Sequence, residues 1–594
     1  MIVGPKSSPD AARLVTPTML VLWLVLATVP LWITRIGLYP YLGIEILIWS
    51  LYALAFNLVL GTAGLPSFGH GAYFGIGAYA FGLCQFDIVA NLWICLIAAA
   101  AAAGLAGVLV ALFISHRRGI YYAFMTIAFG QIFWTLAIKS HRITGGEDGL
   151  LKIKRLPADF GLVSFDLNDN VAFYYFVLAV FAVGTAALWR LVHSPYGRVV
   201  AAIRQSEIRA SHLGYNVWLY KVAIFALSAA VSGFAGGLFA MAQLAAFPDV
   251  MSLHQSGYVV MMTLVGGGLV SFWGPVIGVF LFLTRPRRDR CADQCLDALF
   301  WSALHRHRAV SPRRHCRRDI RCRAAALTRR LTAARYLGDA AAVRERAMNM
   351  IEAAAVHVRF GDRVVLESVD LAVAEGEFHG VMGPNGAGKT TFFNVLTGRV
   401  KPNRGRVLLA GEDVTGLSPH RIAAKGIARS FQIMTLFDEF SARDNVMMGL
   451  PEFRARGHDV ARAAAGDSRL AAKASESLAA VGLADKGDIR AKDLSYGDRR
   501  ALEIAVALAQ APRVVCLDEP TSGLGSDGVH RLAALIARLK GRLTIVAIEH
   551  DMEFLFSLAD RISVIHWGQV VARGTPHELQ QNEWVRRSNL GKFA

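Results

Sequence analysis

Ionisable side chains are scarce in the apolar runs of the first 283 residues. No run carries a series of them at mid-membrane depth, Glu45 being the exception, and this scarcity argues against a proton relay or ion pathway as the energy source of this half. Cysteine is scarce too: seven in 594 residues, in no paired framework, with Cys516 inside an apolar run that reads as a core strand. That usage excludes a disulfide scaffold and fits a reducing interior. No small-residue cleavage site follows the apolar run Met19 to Ile33, so the run reads as a first membrane span rather than a secretory leader. Lysine is missing between Thr284 and Ala347, where seventeen arginines face six acids, a surplus that holds eleven of the chain's net +18 charges. Basicity confined in this way does not mark a nucleic-acid partner, and none is expected.

What is present divides the chain into three parts: 1–283, 284–347 and 348–594. The first carries apolar runs at about 19–34, 42–61, 67–83, 90–115, 119–138, 172–192, 220–245 and 257–283, near the ~20 residues that cross ~30 Å of hydrocarbon. It is expected to be an all-α polytopic membrane domain of about eight spans, in contact with lipid. The third run is short and glycine-rich, which suits a broken or re-entrant helix. Basic residues set the orientation. His116 to Arg118 lie in one connection, and Arg190, Arg198, Arg204, Arg209 and Lys221 in or beside another, so both belong on the cytoplasmic side. Lys152, Lys154 and Arg155 fall in a loop that the same count puts outside. Glycines four apart (Gly71 with Gly75, Gly233 with Gly237, Gly274 with Gly278) read as close helix packing in preference to substrate contact.

The third part reads as an α/β domain built on Gly383-Pro384-Asn385-Gly386-Ala387-Gly388-Lys389-Thr390, followed by Thr391. This is the G-x-x-x-x-G-K-[ST] pattern of a P-loop, in which glycines turn backbone N–H groups onto phosphate oxygens and the lysine neutralises the outer phosphates. The apolar run Phe378 to Met382 before it predicts a buried strand, and Thr390 to Leu396 the helix whose positive end faces the phosphates. ATP is the expected ligand. Val514 to Glu519 is an apolar strand ending in two carboxylates, about twenty residues past Leu494-Ser495-Tyr496-Gly497-Asp498.

Two sets of motifs resemble a known family. Asn57-Leu58-Val59-Leu60-Gly61, Ser67-Phe68-Gly69-His70-Gly71, Gly119-Ile120-Tyr121-Tyr122-Ala123, Thr144-Gly145-Gly146 and Ser194-Pro195-Tyr196-Gly197-Arg198 follow in the order seen in permeases of branched-chain amino acid ABC importers. The run Glu549-His550-Asp551-Met552 looks like the ATP-binding subunits of the same importers. The resemblance implies an ATP-driven importer of branched-chain or other hydrophobic amino acids in the bacterial cytoplasmic (inner) membrane, with permease and ATPase in one chain. It also implies a second permease subunit, a second ATPase subunit and an extracytoplasmic substrate-binding protein. It places Phe360 against adenine, with core packing as the plain alternative. Gln432 stands in the glutamine loop, in reach of the metal and the attacking water; Ser495 and Gly497, in the signature, donate to the γ-phosphate of a second subunit's nucleotide. Thr390 and Asp518 hold Mg2+, Glu519 polarises the attacking water, and His550 contacts the γ-phosphate. Asp498 departs from the glutamine of many relatives, and Gly525 from the usual acid or amide of the D-loop. The segment Val199 to Leu213 reads as a short helix with small and apolar residues on one side, and the resemblance makes it a coupling helix docked on the ATPase.

Alternatives within the class are an importer of urea or short amides and, on another principle, an ABC exporter. A soluble DNA-repair ATPase fails on the apolar spans. For residues 284–347 three readings compete. A zinc site is disfavoured by irregular Cys and His spacing; a basic linker would bind anionic lipid. The preferred reading is GC-rich DNA translated out of frame.

Overall fold

A lipid interior offers no partners for backbone N–H and C=O groups, so apolar runs close those bonds within helices. The computed structural model describes residues 17–33, 39–159, 164–284, 349–462, 467–582 and 585. The apolar runs form α1 (Pro17–Trp32), α2 (Pro40–Asn57), α3 (Gly71–Leu83), α4 (Leu92–Ile114), α5 (Ile120–Lys139) and α6 (Asn170–Val192). After them come two short helices, α7 (Pro195–Gln205) and α8 (Glu207–His212), then α9 (Val217–Gln243), α10 (Leu253–Val265) and α11 (Gly274–Thr284). Among the described residues five stretches are long and apolar enough to cross a membrane: Tyr41–Thr62, Leu92–Ile114, Ile120–Lys139, Asn170–Val192 and Val217–Gln243.

Helix α9 is the post on which α2, α3 and α4 pack. The glycines explain how closely they come. A Cβ on Gly77 would sit 2.0 Å from the Gly233 carbonyl oxygen, and one on Gly236 would sit 1.9 Å from that of Phe74. The run at 257–283 is corrected from one crossing to a hairpin. Its apolar character is continuous, but Gly267 takes φ +79 and turns the chain back. The two arms then press glycine on backbone: a Cβ on Gly278 would lie 1.8 Å from the Met262 oxygen, and one on Gly266 1.9 Å from the Gly274 oxygen. The run at 67–83 becomes a helix only at Gly71 and continues through a wider π-helical turn, Cys84–Ile88.

Beyond the segment 284–347, which apart from Thr284 lies outside the described residues, strands β1 (Asn349–Phe360) and β2 (Arg363–Ala374) pair antiparallel with β4 (Arg404–Leu409) and β5 (Glu412–Asp413) in the order β2-β1-β4-β5. A second sheet combines β3 (Phe378–Met382), β6 (Ile427–Arg429), β7 (Val514–Asp518), β8 (Thr544–Ile548), β9 (Arg561–His566) and β10 (Gln569–Gly574) in the order β6-β7-β8-β3-β9-β10. All neighbours are parallel except the hairpin β9-β10. Strands β3, β7 and β8 are buried throughout, as expected for a sheet covered on both faces. Helices α12 (Lys389–Leu396), α13 (Ala442–Gly449), α14 (Ser468–Ala480), α15 (Tyr496–Leu508) and α16 (Ser526–Leu539) complete the part that positions the site.

Candidate functional site

Parallel pairing decides where the chemistry gathers. In β7, β8 and β3, Asp518 pairs with Ile548, and Ile548 pairs with Val381. The residues that follow these positions, Glu519, Glu549 and the phosphate-loop turn, therefore leave the sheet at one edge, the carboxyl edge where open α/β sheets bind ligands. Gly383 begins the turn at φ +151, and a Cβ there would lie 2.0 Å from the Ile565 carbonyl oxygen, so only glycine fits. Gly386 and Gly388 follow at φ +81 and +101, leading straight into α12. The Lys389 ammonium donates to the carbonyls of Gly383 at 2.6 Å and Pro384 at 2.9 Å. Burial lowers its pKa, against the opposing pull of Glu519 and Asp518. A desolvated cation among converging N–H groups is a receptor for phosphate.

Around this loop opens a cleft of about 520 Å3 lined by Phe360, Asn385, Gly386, Ala387, Gly388, Lys389, Thr390, Thr391, Gln432, Glu519 and His550. Eleven residues singled out from sequence therefore face one space. Phe360 is half exposed at its wall, 53%, which is not the environment of a core-packing ring. Gln432 Nε2 donates to Glu519 Oε2 at 2.9 Å, and His550 Nε2 lies 3.3 Å from Glu519 Oε1. Glu519 adopts φ +46, a region a non-glycine residue occupies only when its surroundings hold it there. Its N–H donates to Ile548 and its carbonyl accepts from Arg500 at 2.5 Å.

Asp518 sits behind the cleft, buried, with Oδ2 held by Arg429 at 2.8 Å and Oδ1 buried without a hydrogen-bond partner. Such an orphaned oxygen is costly unless something completes it. With the Thr390 hydroxyl and the Gln432 amide in the cleft, the donors are hard oxygens, the set suited to Mg2+. Ser495 and Gly497 do not line the cleft. Ser495 caps α15, accepting from the Asp498 N–H at 3.2 Å while its hydroxyl donates to Asp498 Oδ2 at 2.7 Å, and Lys486 bonds the same carboxylate at 2.8 Å. Asp498 is thus a local brace for the serine. The Tyr496 hydroxyl donates to the Ser522 carbonyl at 3.0 Å and ties this turn to the following loop.

Sequence reasoning missed four residues that build the site. Arg429 holds Asp518. Arg500 bonds the carbonyls of Phe431, Asp518, Glu519 and Pro520. Glu503 accepts the Phe431 N–H and pairs with Arg500. Glu549 accepts from the Thr521 N–H and hydroxyl, each at 2.7 Å. Arg429 opens the run Arg429-Ser430-Phe431-Gln432 that ends in the glutamine-loop residue, and Glu549 stands directly before His550, but neither was given a role; the other two carried no local signal.

The segment expected as one helix from Val199 to Leu213 is two, because Ser206 drops to φ −154 and its hydroxyl then caps α8 through the Arg209 N–H at 3.2 Å. This bend drives α8 into the cassette. The Tyr215 hydroxyl donates to the Met448 carbonyl at 2.9 Å, Gln205 accepts from the Glu439 N–H at 3.0 Å, Arg198 pairs with Asp444 at 2.6 Å, and the His212 ring meets Phe431 edge-on at 4.9 Å. On the membrane side Glu207 is held by Arg118 at 2.6 Å and by Lys221.

Residues 41–285 match the model of the permease component of the branched-chain amino acid transport system, and residues 366–522 match that of the ABC transporter. The high-affinity branched-chain amino acid transport ATP-binding protein BraF of Pseudomonas aeruginosa is 36% identical over 260 residues, 41% of this chain and 98% of that protein. The chain belongs to the ABC transporter family. This ABC transporter joins a permease-type membrane domain to an ATP-binding, ATP-hydrolysing cassette in one polypeptide. Its cassette is also 36% identical to the branched-chain amino acid transport ATP-binding protein LivG of Escherichia coli, over 40% of this chain and 95% of that protein. A crystal structure of a nucleotide-free ATP-binding cassette from an ABC transporter matches with TM-score 0.37 and 26% identity, over 41% of this chain and 100% of that chain.

Proposed function

We propose that this ABC transporter imports branched-chain or other hydrophobic amino acids across the bacterial inner membrane, with three units at 1–283, 284–347 and 348–594. The reading is supported most by the seating of α7 and α8 in the cassette, α8 against Arg429 and Phe431, which ties the membrane helices to the segment that leads into Gln432. Apolar helices α1 and α3 and the two arms of the α10–α11 hairpin join the five long helices, so the eighth crossing expected at 257–283 is replaced by the hairpin.

Phosphoryl transfer asks for positioning and charge neutralisation. Lys389 and the loop from Gly383 to Thr391 hold the phosphates, and Phe360 stacks on the base. Glu519, oriented by Gln432 and His550, accepts a proton from the attacking water. Thr390, Gln432 and Asp518 would hold Mg2+, which would supply charge neutralisation when bound. Ser495 and Gly497 do not line their own cleft and serve a second cassette, so hydrolysis requires two cassettes head to tail; a second permease subunit and a substrate-binding protein outside complete the importer. Uptake of labelled leucine and of urea, by cells expressing the chain with its neighbouring genes, tests the reading. Leucine uptake that is lost with Lys389→Ala is the expected result; urea uptake alone moves the assignment to amide import, and outward movement to export.

A further inference from the structure

Buried charge demands a partner, because the desolvation of an isolated ion exceeds what most single contacts return. Beneath the cleft lie three guanidiniums and two carboxylates, all nearly inaccessible: Arg209, Arg429 and Arg500 against Glu503 and Asp518. Arg429 is matched to Asp518 at 2.8 Å and Arg500 to Glu503 at 2.8 Å. The cassette's own charges therefore balance. The extra cation is Arg209, delivered by the membrane domain's helix α8, with a side chain 1% exposed.

Arg209 lies 3.8 Å from Glu503 Oε1 and donates to the carbonyls of Arg429 at 3.3 Å and Glu503 at 3.4 Å. Glu503 in turn accepts the Phe431 N–H at 2.9 Å with that same Oε1, and its Oε2 holds Arg500. Arg500 then bonds the carbonyls of Phe431 at 2.7 Å, Asp518 at 2.9 Å and Glu519 at 2.5 Å. Glu519 is the residue in the uncommon φ +46 conformation, so this guanidinium helps to hold the strained turn. A chain of polar contacts, its first link an ion pair at 3.8 Å and the rest hydrogen bonds, thus runs from a membrane-domain helix to the backbone that aims the carboxylate.

We propose that Arg209 is a positioning residue for hydrolysis: through Glu503 and Arg500 it sets the backbone at Glu519, so that the cassette turns over ATP only when α8 is seated. This rests on the assignment of Glu519 to water activation. The rim contact of Arg190 with the Ala461 carbonyl belongs to the same interface but lies off this path.

The test uses the full chain, co-expressed with the products of its neighbouring genes and reconstituted in lipid vesicles, with kcat and KM for ATP measured. Arg209→Ala and Glu503→Gln are each expected to lower kcat about tenfold with KM held within about twofold, since positioning acts on the transition state and not on binding. The double variant is expected to be no worse than either single one, the signature of residues on one path. Arg190→Ala leaves kcat within about twofold if the bond chain, and not docking in general, is what matters. Unchanged kcat in Arg209→Ala, losses that multiply in the double variant, or an equal loss in Arg190→Ala would each overturn the proposal. If Arg209→Ala does not fold, Glu503→Gln, which preserves volume, carries the test. Glu519→Gln measured alongside separates the two claims: its inactivity with an unaffected Arg209→Ala sinks this inference alone, whereas its full activity removes the assignment beneath it.

Discussion

The two halves bury polarity in opposite ways. In the cassette, buried ions are matched: Arg429 to Asp518, Arg500 to Glu503, Glu549 to Thr521. In the membrane half, buried polar atoms are mostly neutral hydroxyls, and those of Ser50, Tyr52, Thr185, Ser232 and Thr263 have no hydrogen-bond partner. The first half is held by glycines and shape, the second by directed bonds. Shape packing lets helices slide between alternative contacts, whereas directed bonds fix catalytic atoms to fractions of an ångström. Work is expected where the fixed part drives the sliding one, at α7 and α8.

The comparison breaks first at Glu519. Glu519→Gln is expected to keep nucleotide bound while lowering turnover about 10³-fold, the range for losing a positioned proton acceptor; nucleotide retention and steady-state hydrolysis are the measurements. The packed half is probed by Gly233→Leu. A Cβ there already falls 2.2 Å from that of Ala103, so thermal unfolding in detergent should show a loss of about 3 kcal/mol, the upper range of overpacking.

The junction answers to pH. Burial pushes the His212 imidazole down to about 4, opposed by its bond to the Ile208 carbonyl and reinforced by the Arg429, Arg209 and Arg399 guanidiniums. A free histidine titrates near ~6.5, so the docked state binds fewer protons. Docking is fully favoured above that pH and weakens as pH falls toward 4, by on the order of 3 kcal/mol. Hydrogen exchange across residues 206–213 should rise over that window, and His212→Gln should flatten the response. The smallest effect belongs to the rim: Arg443 and Asp488 pair at 2.5 Å but are 34% and 79% exposed, and Arg443→Ala should change the unfolding free energy by less than about 0.5 kcal/mol.

How much of this was legible depended on how local each signal was. Strands Phe378–Met382 and Val514–Asp518 fall where their runs end, because a strand buried on both faces lacks the polar alternation that blurs the edges of a half-exposed one. Most cleft residues were legible for a similar reason, Glu519 and His550 following such strands and Asn385 to Thr391 lying on the glycine turn and the start of its helix, whereas Phe360 and Gln432 came only from the resemblance. The hairpin at Gly267 was not, since an apolar run reads the same through a tight turn as through a straight helix. Ser206 was missed although Ser206-Glu207 is a helix-start pattern, because the surrounding small residues continue a helical stripe. Pairings such as Arg209 with Glu503 join residues 294 positions apart and leave no trace in spacing.

The most direct test of the central claim, that the cassette powers movement through the membrane half, is leucine uptake into vesicles holding the chain with its companion subunits and a loaded binding protein. The account predicts uptake only with ATP on the cassette side, and none with Glu519→Gln. Equal uptake with ATP withheld would contradict it.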